Sequence, residues 1–173
     1  MKLTDKCFNK VKKNCLKFIK SQETKADKFK NKERMIKSFL IPLCFWIRKK
    51  ANKKRPYFVG LAGGQGTGKT TISSLIRIIL IKYFKLKVFR ISIDDFYKTR
   101  KERINLSKRI HPMLLTRGVP GTHDINMMLD FFRKAKSKKF KRFKLPTFNK
   151  AIDDRSNKKK WYDLKNKPDV IIF

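Results

Sequence analysis

Two short stretches carry residue types and spacings that could do chemistry: GGQGTGKT, Gly63 to Thr70, and SIDDFY, Ser92 to Tyr97. The first fits G-x-x-x-x-G-K-[ST] at every constrained position, with Gly63, Gly68, Lys69 and Thr70 in the fixed places. Glycines allow positive φ and close backbone approach, so successive N–H groups can converge on phosphate oxygens. The helix that should follow adds the positive end of its dipole. Lys69 would then reach the β- and γ-phosphates of ATP, and the Thr70 hydroxyl would ligate Mg²⁺. The expected phosphate site is Gly63, Gly64, Gln65, Gly66, Thr67, Gly68, Lys69, Thr70 and Thr71. A glycine-rich turn between a strand and a helix can also arise without a ligand. Here an apolar run precedes it and an amphipathic pattern follows, which is the context a phosphate cradle needs.

SIDDFY places Asp94 and Asp95 behind a strand pattern. In open α/β sheets, ligands sit at the carboxyl ends of the strands. One carboxylate there could take the proton of an attacking hydroxyl, and the other could hold a metal-bound water. The competing expectation is that both residues cap a helix or form an Asx turn.

The elements that must position these groups follow from periodicity. Tyr57 to Ala62 is predicted as a buried strand, and Thr70 to Tyr83 as a helix with Ile72, Leu75, Ile76 and Ile79 on one face. Lys87 to Ile93 is predicted as a second strand, followed by a polar loop. Asp124 can cap a helix that carries Met128, Phe131, Phe132 and Ala135. Phe140 to Leu145 makes a short edge strand stopped by Pro146, and Asp169 to Phe173 a last buried strand. Alternating β and α with nearly continuous apolar strands predicts an α/β fold: a parallel sheet with helices on both faces.

Residues 1 to 55 form a helical N-terminal extension ahead of the core predicted for 56–173. Phe8, Val11, Cys15 and Phe18 make one apolar stripe among lysines, better suited to packing on the neighbouring domain than to lying on a membrane. A polar stretch from Ser21 to Lys32 separates it from a second helix through Leu43 and Trp46. KKANKKRP then acts as a linker ended by Pro56.

Charge is the unusual bulk property: 47 Lys and Arg against 13 Asp and Glu give a formal +34. The basic residues are scattered from Lys2 to Lys167, among abundant Asn, Ile and Phe, as compositional bias would leave them. They predict weak nonspecific affinity for polyanions more than a dedicated nucleic-acid protein, and no RNP motif, zinc finger or basic zipper occurs. Cys7, Cys15 and Cys44 form no C-x-x-C pair and lie far in sequence from His111 and His123, which argues against a disulfide framework or a metal site. With no secretory signal pattern, and FLIPLCFWI too short to span a bilayer, the expectation is a cytoplasmic protein without membrane insertion.

GGQGTGKTT, SIDDFY, RGVPGTHD, LPTFNKAIDDR and PDVIIF, in that order, resemble the glycerate kinase branch of the phosphoribulokinase/uridine kinase-like P-loop family, from about Ile41 to Phe173. The resemblance implies a P-loop NTPase-type fold and ATP- and Mg²⁺-dependent phosphorylation of a small hydroxylated acid. Glycerate is the leading acceptor; nucleosides, pantothenate and phosphoribulose are alternatives, as is a non-catalytic module that binds nucleotide or nucleic acid. It implies Asp94 as catalytic base, together with Lys69, and Asp95 as support for Mg²⁺ or for the loop. It also implies Tyr97, Arg117, His123, Asp124, Lys150 and Arg155 as acceptor-binding residues. Arg117 and His123 could grip a carboxylate or phosphate by charge-assisted hydrogen bonds. Asn149 stands where the family more often has Asp, and the Glu-Gly-Trp motif expected after PDVIIF does not occur. The resemblance therefore implies a core incomplete at its C-terminus, without lid or nucleobase pocket.

Overall fold

A computed structural model describes residues 3–26, 28–51, 56–64 and 66–173. The chain divides into two units, one formed by Met1–Arg90 with Pro168–Phe173, the other by Ile91–Lys167.

The first unit is built on three parallel strands, β1 (Tyr57–Val59), β2 (Val88–Arg90) and β7 (Val170–Ile172), ordered β1-β7-β2. The last strand in sequence is therefore the central one. Ile171 stands between Phe58 and Phe89, while Val170 and Ile172 stand between the flanking pairs on the other face. All three β7 residues are buried, as a strand covered on both faces requires. The strands are shorter than the apolar runs that predicted them, although Leu61 N–H still bonds to the Phe173 carbonyl at 2.7 Å beyond β1.

Val170 and Ile172 share one core with helices α1 (Leu3–Gln22), α3 (Ile41–Lys50) and α4 (Lys69–Lys82). On α1 the buried residues are Cys7, Phe8, Val11, Cys15 and Ile19, so the predicted stripe is present with Ile19 deeper than Phe18. A short helix α2 (Lys32–Met35) leads to α3 through a π-turn at Ile36–Leu40. Pro42 explains this widening: it has no N–H for the carbonyl four residues back, so the preceding turn takes a different register. Of the KKANKKRP linker, Lys49 and Lys50 belong to α3, and residues 52–55 lie outside the described residues.

The second unit holds helices α5 (Arg100–Arg109) and α6 (Ile125–Lys136), short 3₁₀ turns, and two antiparallel strand pairs. In one pair β3 (Phe143–Leu145) runs against β6 (Tyr162–Leu164), and in the other β4 (Phe148–Asn149) runs against β5 (Asp154–Arg155). Its apolar centre includes Phe96 against Phe131, with ring centroids 5.8 Å apart, and the buried Leu114, Leu145 and Leu164. The polar loop expected after SIDDFY is in fact helix α5. Thr99 and Glu102 form a reciprocal capping box at its start, and its only buried residue is Arg103. A helix with no apolar stripe has no hydrophobic period to read, so only the T-x-x-E cap signals it.

Candidate functional site

In the first unit the candidate site is the turn between β1 and α4. Gly66 and Gly68 have φ of 74° and 77°, the left-handed region that glycine enters without steric cost. At Gly63 a Cβ would come within 3.0 Å of the Thr67 hydroxyl, so the close fold of the loop requires glycine there. Thr67 Oγ1 donates to the Gly64 carbonyl at 2.9 Å, and Lys69 Nζ donates to the Gly63 carbonyl at 2.6 Å and to the Gly64 carbonyl. Gly68 caps α4, its carbonyl accepting from Ile72 N–H at 2.9 Å. The N–H groups of Lys69, Thr70 and Thr71 lie in the first turn and have no acceptor within the helix, which suits an anion. Thr70 is exposed while Thr71 is buried. This loop therefore fits a nucleotide phosphate chain, and the Thr70 hydroxyl is a hard oxygen donor of the kind Mg²⁺ takes. Gln65 lies outside the described residues.

In the second unit, described by itself, the candidate residues form a side-chain cluster. Ser92 caps the 3₁₀ turn Ile93–Phe96, and Asp95 closes a capping box with it. The buried Asp95 carboxylate also accepts from Phe148 N–H at 3.0 Å and from the Tyr162 hydroxyl at 3.4 Å. Burial pushes its carboxyl above the ordinary value against the pull of those donors. With both oxygens engaged, Asp95 holds the loop, and its metal-binding role expected from sequence has no support in this geometry. Asp94 differs: its side chain remains partly exposed and pairs with Lys150 at 2.7 Å.

Around Asp94 the sequence candidates converge. Tyr97 forms a β-bridge with His123, and their rings stack at 4.2 Å. Burial raises the Tyr97 phenol, and the Asp94 carboxylate adds to the effect. Burial lowers His123, and its buried Nε2 has no hydrogen-bond partner. Burial therefore disfavours the charged imidazole that a charge-assisted grip would use. Arg117 binds the Lys150 carbonyl at 3.2 Å and pairs with Asp153 at 3.2 Å, over the Phe148 ring. Arg155 donates to the Tyr97 carbonyl and to Asp124, each at 3.1 Å, and Asp124 also caps α6 through Met127 N–H. Asp124 and Arg155 are thus committed to building the unit. Asn149 accepts from Ala151 N–H at 3.0 Å, shaping the turn before Asp153.

No family model matches the chain. It is similar to an uncharacterised kinase of Schizosaccharomyces pombe, 32% identical over 116 residues, covering 62% of this chain and 40% of that protein. It is also similar to the chloroplastic D-glycerate 3-kinase of Arabidopsis thaliana, 32% identical over 127 residues, covering 68% of this chain and 27% of that protein. Among solved structures, D-glycerate 3-kinase from Cryptococcus neoformans matches with a TM-score of 0.61 and 29% identity, covering 79% of this chain and 49% of that one. This chain is a homologue of P-loop kinases. It spans less than half the length of each of these three proteins. Pantothenate kinase of Streptococcus suis is similar as well, 32% identical over 92 residues, covering 51% of this chain and 28% of that protein.

Three positioning residues of this P-loop kinase homologue escaped the sequence reading. Arg90, at the end of β2, donates to the Thr70 carbonyl at 3.1 Å, to Ser73 Oγ at 3.3 Å and to Ser74 Oγ, tying down the first turn of α4. Arg103, fully buried, donates to the carbonyls of Lys98, Leu115 and Asp153 and pairs with the Asp153 carboxylate at 2.9 Å. Asp153, at φ 54°, joins Arg103 to Arg117. Arg90 and Arg103 could not be told from the many solvated basic residues around them. The second Asp-Asp pair, Asp153–Asp154, was quoted within its motif but carried no period.

Proposed function

We propose that the chain carries the nucleotide-binding and acceptor-binding parts of an ATP-dependent kinase that phosphorylates a hydroxyl of a small anionic metabolite, with glycerate as the leading acceptor. The Gly63–Thr70 loop between β1 and α4 carries this reading, because its glycine conformations and first-turn N–H groups suit a phosphate chain. Lys69 leaves the loop carbonyls to meet the β- and γ-phosphates, and Thr70 offers its hydroxyl to Mg²⁺, which when bound neutralises phosphate charge. Asp94 takes the proton of the acceptor hydroxyl, and Lys150, beside it, neutralises the carboxylate of the acceptor. Arg117 and the Tyr97 hydroxyl orient the same molecule. The neutral His123 supplies a stacking surface for Tyr97 and no charge.

Two relatives named as kinases of D-glycerate and pantothenate support a hydroxy acid acceptor, since both molecules combine a hydroxyl with a carboxylate. The buried free thiols Cys7, Cys15 and Cys44 suit a reducing compartment such as the cytoplasm; among the described residues no helix is long and apolar enough to cross a membrane. ADP release measured with D-glycerate, pantothenate and uridine, against a control without acceptor, tests the proposal. Release stimulated by D-glycerate is expected. Stimulation by pantothenate alone would move the acceptor, and no ATP binding or turnover with any hydroxyl substrate would overturn the kinase reading.

A further inference from the structure

The side of α1 turned away from the core is a row of lysines. Lys6, Lys10, Lys13, Lys17 and Lys20 are all exposed, and their spacing of four, three, four and three keeps them on one face of the helix. At about 100° per residue they occupy an arc of roughly 80° opposite Cys7, Phe8, Val11, Cys15 and Ile19, and extend about 21 Å along the axis. Asn9 lies beside them, and no apolar side chain stands inside the arc. The described acidic residues of this region are committed elsewhere: Asp5 pairs with Lys37, Glu23 with Lys32 and Glu33 with Lys12. Among the described residues, none of the five ammonium groups has a hydrogen-bond or ion-pair partner.

We propose that this face of α1 docks on the phosphate backbone of a nucleic-acid duplex. The partner follows from the chemistry of the row. Five uncompensated ammonium groups along a rigid rod match a linear polyanion, which carries about one charge per 1.7 Å of duplex axis. The row has no aromatic ring to stack on unpaired bases, and no forked or amide side chain beyond Asn9 to read base edges, so contact is to the backbone and independent of sequence. Among the described residues, the only apolar side chain strongly exposed beside it is Leu3 at the start of α1, too little to anchor in an acyl layer, which disfavours a membrane surface. Because α1 is packed by its opposite face, the row is presented without any rearrangement of the core. This role is separate from the kinase proposal and uses none of its residues.

The test is binding of the full chain to a fluorescent 20-base-pair duplex, followed by anisotropy across a salt series. If all five lysines take part, the slope of log K against log salt is about −4.5, a loss of roughly 500-fold between 50 and 200 mM. A variant with all five changed to Gln should lose about four units of that slope. A control changing the exposed Lys101, Lys108, Lys138, Lys141 and Lys159 to Gln has the same net charge and should retain it. An all-Arg row should bind at least as well as the native chain. Should the Gln variant fail to fold, Lys13→Glu alone replaces it, with an expected slope decrease of one to two. Equal losses in row and control variants would show diffuse charge attraction and overturn the proposal. So would absence of duplex binding at 50 mM salt, or binding to phosphatidylserine vesicles in preference to duplex.

Discussion

One continuous stretch, Gly63–Thr70, makes the phosphate loop, whereas the cluster around Asp94 gathers side chains from across Ile93–Arg155. The loop works through backbone: two positive-φ glycines, a helix terminus and one lysine folded onto its own carbonyls. The cluster works through side chains held by other side chains, Asp153 between Arg103 and Arg117, and Arg155 between Tyr97 and Asp124. A backbone cradle tolerates most side-chain changes around it and fails only at fixed positions. A salt-bridged cluster spreads its dependence over many residues, each removable at moderate cost.

Single substitutions can break this contrast. Asp94→Asn should lower turnover the most, by about 10²–10⁴, the usual contribution of a positioned general base. Nucleotide affinity, measured by calorimetry, should stay unchanged; a parallel loss of ATP binding would show that the loop and the cluster do not act independently. Lys69→Ala should lower turnover by about 10²–10³, as loss of one preorganised charge-stabilising donor does. It should also abolish measurable ATP binding, and retention of both in the purified variant would remove the phosphate-loop assignment.

Asp153→Ala tests the cluster as a structure. It leaves the buried Arg103 without its carboxylate, which should reduce stability in urea by about 2 kcal/mol, the scale of a hydrogen bond to a charged group. Arg90→Ala should weaken Mg²⁺-ATP binding by about 10-fold, as loss of a group that orients a metal ligand does, with a smaller effect when EDTA is present. Equal effects with and without Mg²⁺ would show that Arg90 only stabilises α4.

The smallest effect concerns pH and the core beneath the loop. Burial pushes the Cys7 thiol to about 11 and the Cys15 thiol to about 12, from 9.0, so the unfolded chain releases these protons first. Stability is therefore full below pH 9 and falls as pH rises towards 11–12. Each thiol removes about 1.4 kcal/mol between pH 8 and pH 10. Cys15→Ala should lose that share of the slope in denaturation series at the two pH values. Asp95 has the same sign in another window: its raised carboxyl makes stability fall as pH rises from 3.8, and Asp95→Asn should flatten that region.

Much of the first unit was legible in the sequence. The strand, glycine turn and helix around Gly63–Thr70 are local, and their periods change from two to 3.6 within a few residues. The apolar stripe of α1 and the Asp124 cap were equally readable. Beyond that cap and the helix it starts, the second unit was not, because its centre is partly ionic: Arg103 is the buried residue of a helix with no hydrophobic period. The sequence also left open whether Asp94 and Asp95 serve chemistry or capping, and the structure gives the two carboxylates different surroundings. Asp95 is buried and fully engaged as a cap, while Asp94 keeps an exposed edge beside Lys150.

The sequence by itself determined the glycine turn between strand and helix, the parallel α/β class and the strands of its sheet. Those depend on residue-by-residue conformational preference and on apolar runs long enough to signal burial. Only the tertiary structure decided that the last strand is the central one, that Arg90 ties down the Thr70 turn, and that Arg117 is braced by Asp153. It also decided that five of the many scattered lysines stand along one helix face with no ion-pair partner among the described residues. Such choices rest on which of many similar charges meets a partner across the fold, and in a chain of net charge +34 composition cannot single them out.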